Sequence, residues 1–316
     1  PIQKFFRKST DLFNFLGEKS RKRIAKLANI VFEKFTTVDL CKSRETVEET
    51  KKFLDDVEDD FFLFVNLMSA HEPYDPGDPP IEYLEKHGVE DIESVPSTER
   101  EFFKNGYDED DLKRAYDAAV DYTDDLLGEI LDRIEQNNLS EDTIVVVLGD
   151  HGQAAGDEGI YGHQFTVMDS VIEVPLIVKG PQIESEEDSS LLDLKELYNI
   201  IPGYAGIEEL PDIGVENVKG SYEYPEFFVG VIPEDRREKF DRIFRFFKDS
   251  EKKIVKSTGR DGNPVYTAYD SEGDEIDVTA EMKEEVDSIG SDTEASEEND
   301  IDDEEVKKRL EDLGYM

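Results

Sequence analysis

The sequence predicts an α/β fold: a mainly parallel sheet with helices on both faces, followed by a small antiparallel subdomain. Three short runs, Phe61–Met68, Thr143–Leu148 and Val174–Val178, are almost wholly apolar, as strands buried on both faces are. Between the first two, Leu112, Tyr116, Ala119, Thr123, Leu126, Ile130 and Ile134 recur at helical spacing from Asp110 to Asn137. Strand–helix–strand order with such strands implies parallel pairing under covering helices. After about residue 210 the runs Phe227–Val229, Phe240–Phe247, Lys253–Ser257 and Val265–Tyr269 alternate with turns such as Asp261-Gly262-Asn263, the mark of an antiparallel sheet.

The flanking elements follow from the same spacing. Before residue 58, Leu12, Phe15 and Leu16, then Ile24, Leu27 and Ile30, then Val47, Phe53, Leu54 and Val57 predict helices. Prolines at 73 and 76 make Ser69–Gly77 a loop, and the polar stretch to about Asn105 reads as surface loops. Leu191–Ile201 is expected to be helical. Glu281–Glu305 is acidic and Ser-rich and is expected to be mobile, ahead of a last helix from Asp302 to Leu313. The expected division is 1–209 for the α/β part, 210–280 for the antiparallel subdomain and 281–316 for the acidic segment and terminal helix.

Composition excludes several classes. At 316 residues the chain can bury roughly 75% of its unfolded surface, enough for a core without staples. The single cysteine, Cys41, rules out an internal disulfide framework and a cysteine-cluster metal site. No apolar run reaches the ~18 residues of a membrane span. Asp and Glu number 79 against 36 Lys and Arg, and a net charge of −43 repels nucleic-acid phosphates. The acidic residues are dispersed along the whole chain, which suits a surface that must stay hydrated in concentrated salt, and a halophilic source is expected. The chain opens at Pro1 without a signal-peptide pattern; a soluble protein is expected, the cytoplasm favoured, with an upstream signal left open.

Chemistry can be sought among four histidines, His71, His87, His151 and His163. In an open α/β sheet ligands bind beyond the carboxyl ends of strands. His71 follows the first apolar run, Asp150-His151-Gly152 follows the second, and His163 closes the Gly156–Gly162 loop. Asp150 and His151 offer one oxygen and one nitrogen to a divalent cation: oxygen-rich surroundings would favour Ca²⁺ or Mg²⁺, further nitrogen Mn²⁺ or Zn²⁺. The alternative is a hydrogen-bonded turn with a solvated Asp. His71 and His163 could hold an anionic group or protonate a leaving oxygen, or be ordinary loop histidines. His87 lies in a polar stretch and reads as surface. No phosphate-binding GxxxxGK[ST], no GxGxxG after a strand and no GxSxG occurs.

Taken in order, these segments resemble the sulfatase family, of the alkaline-phosphatase-like superfamily. The matching pieces are Phe61–Met68 running into His71-Glu72-Pro73-Tyr74, Tyr116–Gly128, Thr143–Gly152, Gly159–His163, Val174–Pro181 and the closing Arg309–Met316. The resemblance implies hydrolysis of sulfate esters on a small molecule or glycan. It implies that Asp150 and His151 ligate a divalent metal, Ca²⁺ first, with Mg²⁺, Mn²⁺ or Zn²⁺ as alternatives. It implies that His71 contacts the substrate near the leaving oxygen and that His163 holds the sulfate. The family's first Asp-Asp metal pair and its Cys/Ser-x-Pro-x-Arg nucleophile motif do not occur here; Cys41-Lys42-Ser43-Arg44 lacks the proline. The expectation is therefore the C-terminal portion of a sulfatase-like enzyme, its N-terminal part missing, inactive alone and weak for metal. A phosphoryl transferase or phosphodiesterase of the same superfamily, and a nonenzymatic remnant, are the alternatives.

Overall fold

The computed structural model describes residues 43–74, 77–92, 95–96, 108–181, 183–207, 209–210, 213–223 and 232–290. The described residues divide between two compact units, those up to Asn66 in the first and those from Leu67 in the second. The expected helices before Lys42, Cys41, the run Phe227–Val229 and the terminal helix lie outside the described residues.

In the first unit, α1 (Ser43–Asp56) buries Val47, Thr50 and Leu54 at the spacing that predicted it. Phe53 meets Phe61 edge-on, with ring centroids 5.6 Å apart. Phe61–Asn66 runs on without a ladder partner among the described residues, and its alternate side chains Phe62 and Phe64 are 64% and 65% exposed. The expectation of a doubly buried strand at Phe61–Met68 is corrected here, because a strand needs a neighbour's N–H and C=O groups to complete its ladder.

In the second unit, α2 (Ile81–Lys86) packs on α3 (Glu109–Gln136), where Tyr83 Oη donates to Asp125 at 2.6 Å. The Asp108 side chain caps α3 by accepting from the backbone N–H groups of Asp110 and Asp111. One face of α3 buries Leu112, Ala115, Ala118, Ala119, Tyr122 and Leu126, and several of these join a core with Tyr74, Leu84, Ile160, Tyr161 and Phe165. The alanines let neighbouring backbone approach closely.

Then follow β1 (Val145–Leu148), the tiny hairpin β2 (Ala154–Ala155) with β3 (Tyr161–Gly162), the short helix α4 (Asp169–Ile172) and β4 (Leu176–Lys179). β4 pairs with β1 antiparallel, Val146 opposite Val178. Every ladder among the described residues is antiparallel, where the order of elements predicted parallel pairing. The reason is local: parallel pairing needs a helical crossover, and the segment joining β1 to β4 contains only a hairpin and one helical turn. The long helix of this region, α3, instead precedes β1 in the chain. Leu148 and Ile177 are 38% and 57% exposed, so the β1–β4 ribbon is half-buried rather than enclosed.

After α5 (Leu197–Tyr204) comes a five-stranded meander: β5 (Asn217–Tyr222), then α6 (Arg237–Phe240), β6 (Arg242–Asp249), β7 (Lys252–Gly259), β8 (Pro264–Asp270) and β9 (Glu275–Ile276). This is the antiparallel sheet the sequence predicted. The segment expected to be mobile begins in a helix: α7 (Ala280–Asp287), capped by Thr279, lays Met282 and Val286 against Phe247, Ile254 and Ala268. Its two apolar residues four apart on one face are enough to dock a helix of eight residues.

Candidate active site

The site forms where β1 ends. The chain turns through Gly149 and Gly152, and the N–H groups of Gly152 and Gln153 donate to the carbonyls of Val171 and Ser170 in α4, at 2.7 and 2.9 Å. That seat carries Asp150 and His151 outward. His151 Nδ1 lies 2.9 Å from the Gly152 carbonyl, which leaves Nε2 on the far side of the ring, 3.8 Å from Asp150 Oδ1. Asp150 is 87% exposed, while its Oδ1 also accepts the His151 backbone N–H at 3.1 Å.

His163, two residues after Tyr161 in β3, stacks on His151 with centroids 4.1 Å apart and planes at 22°. His71 meets His163 edge-on at 5.1 Å and stands 6.3 Å from His151. Three of the four histidines picked out from the sequence therefore share one cluster. The fourth, His87, is elsewhere: its Nε2 sits 3.0 Å from Asp121 of α3, beside Lys86, in a surface ion pair.

Glu72 is the member that sequence reading left out. Its carboxylate is buried, accepts from the Gln153 side-chain amide, and lies 3.5 Å from His71 Nδ1 and 3.9 Å from His163 Nδ1. His71 Nδ1 is also 2.5 Å from the Glu72 carbonyl. Gln153 was missed as well. A charged residue in a proline-held loop gives no periodicity from which burial could be read, and adjacency to His71 was the only available signal.

Electrostatics separate the roles. Burial, then the neighbouring His151 and His71 rings, push His163 down to about 3 against the mild pull of Asp150. His163 is thus a neutral imidazole at neutral pH, able to give or take one hydrogen bond but not to act as a cation. Burial beside the Glu72 carboxylate raises Tyr74 well above the ordinary phenol range, so it stays protonated. The arrangement offers a carboxylate–imidazole pair at an exposed rim and a buried carboxylate between two further imidazoles, a donor set for a divalent cation and a polar anion.

A family model, Sulfatase, matches residues 5–207. An ulvan-active sulfatase of Formosa agariphila is 27% identical over 176 residues, covering 54% of this chain and 33% of that protein. The chain spans about a third of the length of the curated relatives it matches. Among solved structures, a protein described with the metabolism of multiple glycosaminoglycans by Bacteroides thetaiotaomicron aligns with a TM-score of 0.55 at 16% identity, over 77% of this chain and 56% of that one. The phosphonate monoester hydrolase of Agrobacterium radiobacter aligns with a TM-score of 0.50 at 15% identity, over 87% and 62%. These likenesses show the fold, the α/β architecture of alkaline-phosphatase-like enzymes.

Proposed function

The chain belongs to the sulfatase family, and from that premise we propose that residues 67–181 form part of a sulfuric ester hydrolase site, binding the ester and protonating its leaving oxygen. The observation that supports this most is the meeting of His71, His151 and His163, drawn from three separate segments, in one cluster at the end of β1. The substrate class in this reading is a sulfated small molecule or glycan, in line with the ulvan-active relative.

Asp150 and His151 fit a divalent cation: an exposed carboxylate and a ring whose Nδ1 is already engaged, so that Nε2 remains as the donor. They would hold Ca²⁺ first, and the ion would supply charge stabilisation to the sulfuryl oxygens. His163, neutral, would hydrogen-bond a sulfuryl oxygen. With His71 Nδ1 engaged by the Glu72 carbonyl, the other ring nitrogen would be the one to serve the departing oxygen. No motif in the chain supplies the family's nucleophile, and the 316 residues are expected to bind esters without turning them over.

The test is calorimetric titration of the chain with phenyl sulfate and with phenyl phosphate, each with and without Ca²⁺. The reading expects Ca²⁺-dependent binding of the sulfate, weakened at least tenfold by Asp150→Ala. Preference for phosphate would favour the phosphoryl-transfer alternative, to which the same Asp-His pair is suited. Failure to bind either ester would leave a packing or binding remnant.

A further inference from the structure

His71, Glu72 and His163 form a group that ester hydrolysis uses only in part. One nitrogen of each ring and one carboxylate oxygen all lie within 4.8 Å of one another. The carboxylate is the buried member, only 6% exposed, and a buried carboxylate is costly without compensating charge or hydrogen bonds. Gln153 occupies Oε2, so Oε1 is the atom turned toward His163, at 3.9 Å from its Nδ1 and beyond hydrogen-bond reach of it.

We propose that His71, Glu72 and His163 constitute a binding site for a divalent transition ion of the Zn²⁺ class, separate from the Asp150–His151 pair. Two imidazole nitrogens and one carboxylate oxygen are a zinc donor set, poor in the oxygens that Ca²⁺ and Mg²⁺ require. Bonds of about 2.0–2.2 Å place the ligand atoms of a tetrahedral ion roughly 3.4 Å apart, so side-chain shifts on the order of 1 Å would close the site. Gln153 is the outer partner that a metal-bound carboxylate needs, fixing one oxygen and leaving the other for the ion. The fourth position would fall to water. An ion here would take up ring nitrogens assigned above to the ester, so Zn²⁺ would compete with sulfate-ester binding. The site itself requires no ester and stands or falls independently of the hydrolase reading.

The experiment is titration of the metal-free chain with Zn²⁺ by calorimetry and with Co²⁺ by visible absorption, whose intensity reports tetrahedral coordination. One equivalent that depends on Glu72 should bind with a tetrahedral Co²⁺ spectrum, whatever the Asp150–His151 pair takes up besides. Glu72→Gln, which keeps the shape of the side chain, should lower Zn²⁺ affinity for this site at least tenfold, as should His163→Ala, while Asp150→Ala should change it by far less. Circular dichroism establishes that each variant is folded; should His163→Ala not fold, Glu72→Gln decides alone. Absence of Zn²⁺ binding, affinity unchanged by Glu72→Gln, or loss on Asp150→Ala instead would overturn the site. The phenyl ester titrations with Ca²⁺ report separately on the hydrolase reading.

Discussion

A Cβ at position 152 would lie 2.1 Å from the Ser170 carbonyl oxygen and 3.0 Å from its carbon. Both are backbone atoms of α4, and the same carbonyl accepts the Gln153 N–H, so neither can yield without breaking the seat of the loop. Gly152→Ala is therefore expected to destabilise the second unit by about 2 kcal/mol or more. A urea denaturation midpoint equal to that of the parent would refute the close approach. The same residue explains what could be read from the sequence. Asp150, His151 and Gly152 were legible because a polar pair bracketed by glycines follows an apolar run, and His71 and His163 because histidines are so few. Glu72 and Gln153 were not, since their meeting across 81 positions depends on how two irregular loops fold together.

At the scale of the element, α3 was the most legible piece, its apolar stripe visible over the helix's 28 residues. Its Asp108 cap holds two N–H groups, and Asp108→Ala should cost about 1 kcal/mol, read as a lower thermal midpoint. β5 was missed because Asn217-Val-Lys-Gly-Ser-Tyr222 has little strand character. Its Gly220 faces Phe246, whose ring would sit 2.4 Å from any Cβ there, so the strand's fit lies in its partner. The antiparallel pairing of β1 with β4 was not legible for a related reason, since apolar runs announce strands without stating which way the chain returns. One tie between elements was invisible in the sequence. Lys248 of β6 and Lys253 of β7 stand opposite each other, a repulsive pair, and both reach Asp169 at the start of α4, at 3.1 and 2.6 Å. Lys253 also donates to the Val167 carbonyl at 2.6 Å. The meander thereby grips the helix on which Gly152 and Gln153 are seated. Lys253→Ala should cost about 1.5–3 kcal/mol, toward the lower end because Asp169 is 38% exposed. It should also loosen the loop carrying Asp150 and His151, seen as faster amide exchange at Gly152 and Gln153. Exchange unaltered at those two amides would break the proposed tie.

For the whole molecule the governing quantity is the charge of −43, and it acts in opposition to a few fixed carboxylates. Burial would raise Asp111, yet the N–H groups of Glu90 and Asp91 and the Arg114 guanidinium hold it below the ordinary carboxylate range. Burial likewise works against Asp169, and Lys253 and Lys248 more than reverse it. A carboxyl whose folded pKa is depressed stabilises the fold above its unfolded value, about 3.9, and loses that contribution as pH falls through the folded value. Acid unfolding is therefore expected below about pH 4. The dispersed surface charge behaves differently, because its repulsion is long-ranged at low ionic strength and confined to about 3 Å in 1 M salt. Raising KCl from 0.05 to about 2 M should thus raise the thermal midpoint at pH 7 by several degrees, through screening of repulsion among exposed Asp and Glu. The acid limb should persist at high salt, since Asp111 is buried and Asp169 is in direct contact with a buried Lys253, so both are screened less than the exposed carboxylates. A thermal midpoint that is flat or falls with KCl would mean that repulsion is not what limits this fold, and the halophilic reading of its composition would fail with it.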